Sequence, residues 1–173
     1  MILKRFSLLL CFLTIFNCSS NDNKVDKLLA NNQKTADLMY LEAMNKFNEN
    51  QLDEAVIIFK EIERLFPLSN EAIQSQIMSS FIDYSNLNYD DAIYKFSRII
   101  NKYPALKNID YVYYMRAICY YEQISHEELD GKNNYLALEN FEQLIKRFPN
   151  SEYAKDARQK VILVNSNIAA KHM

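Results

Sequence analysis

AVIIFKEIERLFP at residues 55–67, AIYKFSRIINKYP at 92–104 and ALENFEQLIKRFP at 137–149 decide the fold of this chain. Each runs alanine, three residues, phenylalanine, six residues, an aromatic, then proline, without a gap in any copy. Ala55, Phe59 and Phe66-Pro67 thus match Ala92, Phe96 and Tyr103-Pro104, and again Ala137, Phe141 and Phe148-Pro149. Upstream of each copy lies a small residue followed four positions later by an aromatic: Ala43 and Phe47, Ser80 and Tyr84, Ala117 and Tyr121. These upstream pairs are 37 residues apart, as are Ala55 and Ala92, whereas Ala92 and Ala137 are 45 apart. Eight extra residues therefore lie between Tyr121 and Ala137. The stretch Glu122 to Asn134, which holds the chain's one glycine, Gly131, is expected to be an enlarged hairpin loop.

Apolar residues spaced three and four apart predict an amphipathic helix for each half of each unit. In the first unit, Leu38, Leu41 and Phe47 mark one helix, with Ala43 at its close contact. Asn48 to Leu52 makes the turn, and Asp53 or a neighbour caps the second helix. That helix buries Ala55, Ile58, Phe59, Ile62 and Leu65-Phe66. Pro67, Pro104 and Pro149 each end a second helix, because the residue before proline is pushed out of the α region. Ser69-Asn70 and Asn150-Ser151 then supply caps for the next helix. A single hairpin cannot bury its own apolar face, so neighbours must stack. The unit resembles the tetratricopeptide repeat: small residues at tight crossings, an aromatic after the alanine of the second helix, and a closing proline. The expected fold is an all-α, tetratricopeptide-like superhelix of antiparallel hairpins. It comprises repeats at about 35–67, 69–104 and 108–149 and a terminal helix at 151–173, carrying Tyr153, Ala154, Ala157, Val161, Leu163-Val164 and Ile168.

Composition agrees with this class. One glycine and three prolines in 173 residues leave too few turn formers for an all-β chain, and no two glycines exist to build a phosphate-cradling loop. Hydrophobic residues make up 49% of the sequence, enough for a packed core. Twelve tyrosines and ten phenylalanines fill space between helices, or some of them line a groove for a peptide. The net charge is −2 and no basic stripe is present, so no nucleic-acid partner is expected.

The N-terminus reads as an export signal. Lys4 and Arg5 precede the apolar run FSLLLCFLTIF at 6–16, too short to span the ~30 Å of a bilayer core comfortably. Asn17-Cys18-Ser19-Ser20 follows, and the chain turns polar. A cysteine at this point resembles the lipobox of bacterial lipoproteins, although Phe16 and Asn17 stand where small residues are usual. The resemblance implies a signal peptide at 1–17, a lipid on Cys18, and a flexible tether over 18–34. An uncleaved anchor and plain secretion are the other readings. Ser19, in place of a retaining aspartate, implies the outer membrane, lipid-anchored on the periplasmic face. Two or three acyl chains would hold firmly at ~0.8 kcal/mol per buried methylene.

No constellation suggests catalysis. Only His126 and His172 exist, Cys11 lies in the leader, and Cys119 sits in an apolar run as a core residue, so no disulfide framework, metal or cofactor is expected. Asp53-Glu54 and Asp90-Asp91 recur at the same repeat phase, which points to favourable charge at helix N-termini and not to an acid-base pair.

One segment is more particular. Asn108-Ile109-Asp110-Tyr111-Val112-Tyr113-Tyr114-Met115-Arg116 is similar to the N-I-D-Y-V-x-Y-M-R segment of the BamD family, lipoproteins of the β-barrel assembly machinery. The F-P-x-S run at Phe66 to Ser69, the long loop of the third unit, and R-F-P-N-S at Arg147 to Ser151 agree with that family. The resemblance covers about residues 18–173. It implies a scaffold that binds unfolded outer membrane barrels and the barrel-forming subunit BamA, among other complex members, with no enzymatic activity. Family members continue for two further repeats, to which much of the BamA contact belongs; the early repeats are associated with substrate recognition. The expected peptide- or partner-binding residues are Phe66, Asn108, Asp110, Tyr111, Tyr113, Tyr114 and Arg116. Asn108 or Asp110 is expected to cap its helix, and Arg116 to pair with Asp110 or a helix terminus, or to receive a peptide carboxylate. Another periplasmic tetratricopeptide adaptor, such as a Tol-associated cell-division coordinator, is the alternative, though no sustained heptads are present.

Overall fold

The three A-x3-F-x6-[FY]-P motifs form helices that end where their prolines require. The computed structural model describes residues 35–124 and 131–171. Within them lie seven α-helices and no strand: α1 (Ala36–Asn48), α2 (Leu52–Leu65), α3 (Asn70–Ser85), α4 (Tyr89–Lys102), α5 (Ile109–Glu122), α6 (Lys132–Arg147) and α7 (Glu152–Lys171). Each helix packs against the next in sequence, and α1, α3, α5 and α7 also touch in succession. The odd-numbered helices thus form one continuous layer, with α2, α4 and α6 beside it. This is the tetratricopeptide-like stacking that the repeats imply.

The motif alanines and phenylalanines carry the core. Ala55, Ala92, Ala137, Phe59, Phe96 and Phe141 are all fully buried, as are Ala43, Ser80 and Ala117 on the partner helices. Before each proline, Phe66, Tyr103 and Phe148 leave the α region with nearly one geometry: φ −129, −128 and −133°, ψ 53, 56 and 60°. Each still donates its backbone N–H to the carbonyl four residues back, on Ile62, Ile99 and Leu144. The chain then turns, and Ser69 Oγ caps α3 by accepting from the Ala72 N–H at 3.0 Å.

The first two hairpin turns are built alike. Gln51 N–H reaches back to Lys46 O at 2.9 Å, and Asn88 N–H to Asp83 O at 2.9 Å. These six-to-one closures place Asn50 (φ 60°) and Leu87 (φ 62°) in the left-handed region. Asparagine tolerates that conformation, but a leucine there carries about 1–2 kcal/mol of steric cost. Leu87 is also 70% exposed, so its side chain returns little in packing. Replacing it with asparagine is expected to raise stability by about 1 kcal/mol, read as a higher urea midpoint at unchanged slope.

Several expectations are corrected by packing. Leu38 and Leu41 are exposed, whereas Met39 and Ala43 face the core. The α1 sequence is apolar around most of its circumference, and seating Ala43 against α2 turns Leu41, ~200° away around the helix, outward. Leu65 and Leu163 are likewise exposed. Gln51, not Asp53, occupies the cap position of α2 and makes no side-chain cap bond; Asp53 and Glu54 lie within the first turn. Lys132 to Asn134, expected in the long loop, begin α6, and Glu122 ends α5. The leader, Cys11, Cys18, the tether, His126 and His172 lie outside the described residues.

Candidate functional site

Asn108 opens α5 in the left-handed region at φ 68° and makes no side-chain cap bond. An asparagine adopts this conformation at low cost, so its local role is to turn the chain after Pro104. Asp110 does not cap the helix either. Its Oδ2 accepts from Ser151 Oγ at 2.5 Å, and the same Ser151 oxygen accepts from the Tyr153 N–H at 3.2 Å. Asp110 thereby fastens the start of α5 to the start of α7.

The tyrosines divide between two faces, as their spacing predicts. Tyr111 and Tyr114 both pack against Tyr153 of α7, with ring centroids 5.5 and 5.2 Å apart. Tyr114 also donates its hydroxyl to Asp156 Oδ2 at 2.7 Å. Burial pushes the Tyr111 phenol up to about 12, and burial with the Asp156 carboxylate raises Tyr114 further. Tyr113 points the other way and is buried. Its ring meets Phe148 at 5.5 Å, with the guanidinium of Arg116 at 5.4 Å and that of Arg147 at 5.3 Å.

Arg116 pairs neither with Asp110 nor with a helix terminus. It lies in the cleft between α4 and α6, donating to Gln143 Oε1 at 2.6 Å and to Ser97 Oγ at 3.5 Å. Burial is the first cause that lowers its pKa, and its buried Nε has no hydrogen-bond partner. The guanidinium is held by neutral acceptors and an aromatic face. Of the expected binding residues, Phe66 stands apart: it packs with the α1–α3 cluster, while Tyr111, Tyr113 and Tyr114 belong to the cluster that spans α3 to α7. Ser97, Gln143 and Asp156 complete the α5 constellation without having been marked in the sequence, whereas Ser151, expected only as a cap, also bonds Asp110. The repeat offset, which sets Ser97 opposite Lys60 and Gln143 opposite Arg98, is the sequence signal that marks those two.

Cys119 is fully buried, and burial pushes its thiol up to about 12, leaving it an inert core group. Among the described residues no three His, Cys, Asp or Glu side chains gather closely enough to hold a metal ion, and no helix is long and apolar enough to cross a membrane.

Comparison with known proteins places these features. A family model described as outer membrane lipoprotein, YfiO, matches residues 32–173. The chain is 34% identical over 141 residues to the outer membrane protein assembly factor BamD of Caulobacter vibrioides, covering 82% of this chain and 46% of that protein. It is 30% identical over 135 residues to the factor of the same name from Rickettsia prowazekii, covering 78% of this chain and 54% of that one. For the Neisseria gonorrhoeae factor the figures are 28% over 145 residues, 78% and 54%. The chain spans about half the length of these relatives.

Proposed function

Since the chain belongs to the BamD family of outer membrane lipoproteins, we propose that it is a non-catalytic scaffold for outer membrane protein assembly. It binds unfolded outer membrane barrels, the barrel-forming assembly subunit, or both. The observation that carries this reading is the family match, which runs through the whole described helical stack. In the proposal, residues 1–17 are a cleaved leader, Cys18 takes the lipid, and 18–34 tether the domain at residues 35–173 to the periplasmic face of the outer membrane. A stack of hairpins suits such a role, because it offers an extended surface to a chain lacking structure of its own.

The surface proposed for the peptide includes Phe66, Asn108, Asp110, Tyr111, Tyr114 and Arg116, each at least partly exposed. Tyr113 contributes by position, since its buried ring sets the Arg116 guanidinium.

The test uses the full 173-residue protein as bait in a crosslinking pull-down from detergent-solubilised membranes. Recovery of a barrel protein with periplasmic domains, or of unfolded barrel precursors, is expected; recovery of neither overturns the reading. In parallel, Arg116→Ala is expected to weaken binding of a C-terminal barrel peptide at least tenfold, as loss of a charge-assisted hydrogen bond of about 1.5–3 kcal/mol would do. Unchanged affinity in a folded variant removes Arg116 from the proposed surface.

A further inference from the structure

The repeat sets two clefts side by side, and one of them is filled. Between α4 and α6, Arg116 rises from α5 and is met by Ser97 and Gln143. One repeat earlier, the cleft between α2 and α4 stands over α3. Ser79 there is the equivalent of Arg116, Lys60 of Ser97, and Arg98 of Gln143, at the offsets of 37, 37 and 45 residues that relate the repeats. The chemistry is inverted. In the filled cleft the floor supplies the cation and the walls supply acceptors; in the other the floor is a serine and the walls carry cations.

The α2–α4 cleft has a volume of about 180 Å³, lined by Lys60, Glu63, Gln76, Ser79, Lys95 and Arg98 among others. On the same measure a site for one water needs only about 10–15 Å³, so the cleft has room for a whole acid side chain. Ser79 is 4% exposed, and its hydroxyl oxygen has no hydrogen-bond partner. The adjacent Ser80 satisfies its own by donating to the Gln76 carbonyl at 2.7 Å. Lys95 is engaged by Asp83 at 2.5 Å. Neither Lys60 nor Arg98 forms a salt bridge among the described residues. Glu63 feels the charges of Arg98, Lys95, Lys102 and Lys60, yet burial prevails and raises its carboxyl. Of the side chains lining the cleft, Lys60, Lys95 and Arg98 are cationic and Glu63 alone is acidic, with Asp83 taking Lys95.

We propose that the cleft between α2 and α4 binds an aspartate or glutamate side chain of a partner protein, which takes the acceptor role between Lys60 and Arg98 and accepts from the unpartnered Ser79 hydroxyl. The occupant completes this cleft as Arg116 completes the next, with the signs of the partners exchanged. The site does not depend on which protein of the assembly machinery supplies the acid.

The experiment is a chemical-shift titration of the full chain in detergent micelles. The probe is the capped pentapeptide Gly-Ser-Glu-Ser-Gly, compared with its glutamine counterpart and with acetate. The glutamate peptide is expected to shift the Ser79, Lys95 and Arg98 amides, and the glutamine peptide to bind at least tenfold more weakly. Two variants follow the neighbouring repeat. Lys60→Ser with Arg98→Gln changes only exposed side chains and is expected to lose binding at least tenfold. Ser79→Arg, which would fill the cleft from within, is expected to abolish it. Equal binding of the glutamine peptide, or affinity within twofold in the double variant, overturns the proposal. Acetate binding as tightly as the peptide also overturns it, in favour of a free small carboxylate.

Discussion

Phe96→Ala is expected to lower the unfolding free energy by about 3–5 kcal/mol, the cost of emptying a buried aromatic site. The ring is fully buried, one turn after the equally buried Ala92, in the cluster that joins α4 to α5 and α6. Small alanines at the crossings bring helix backbones close, and the phenylalanine fills the space this leaves beside them. Neighbouring helices cannot close further on an alanine, because Ala92 already sets their separation, so most of the ring's volume remains as a cavity. Domains of this size have only about 5–15 kcal/mol in total, so the loss consumes a large share. Urea unfolding followed by circular dichroism reads it as a lower midpoint. Phe96→Leu, which refills part of the space, is expected to lose clearly less. Equal losses for the two would mean that ring shape, not volume, holds the junction.

Tyr113→Ala is expected to be comparably damaging, about 3–5 kcal/mol, although this tyrosine lies within the segment that resembles the BamD family and is proposed to bind a peptide. Its ring is buried against Phe148, beside the guanidinium groups of Arg116 and Arg147. Removing it takes away apolar packing and a cation–π partner from both arginines at once. Tyr113→Phe keeps the ring and is expected to cost about 1 kcal/mol or less. If Tyr113 touched a ligand directly, the alanine variant would instead stay stable and lose affinity. Thermal melting beside peptide binding distinguishes the two, and a melting temperature unchanged in Tyr113→Ala would refute its structural role.

The parts of the fold written locally in the sequence were legible. Pro67, Pro104 and Pro149 act on their immediate neighbours, so the helix ends they dictate appear at Leu65, Lys102 and Arg147. The repeated alanines and phenylalanines mark the core because the same local environment recurs three times. What depended on distant partners was not legible. Nothing near Arg116 in the sequence announces Gln143, 27 residues on, and nothing near Asp110 announces Ser151. In α1 two apolar stripes were available, and only contact with α2 chooses the one containing Met39 and Ala43. Leu87 hides for another reason: leucine gives no hint of a left-handed residue, and the closure from Asn88 to Asp83 imposes it. The candidate site was half legible. The spacing that separates Tyr111 and Tyr114 from Tyr113 appears in the packing as two faces, whereas Phe66 joins a different cluster.

No described helix touches another more than two places along the chain. Mechanically, this makes the stack a series of short springs joined end to end. Each hairpin junction can flex by a small amount without straining any but its neighbours, and the small deflections add along the series. A pull applied at the ends would open the weakest junction first and leave the rest standing. The same locality shortens the loops the chain must close during folding, so assembly is fast for a protein of this length.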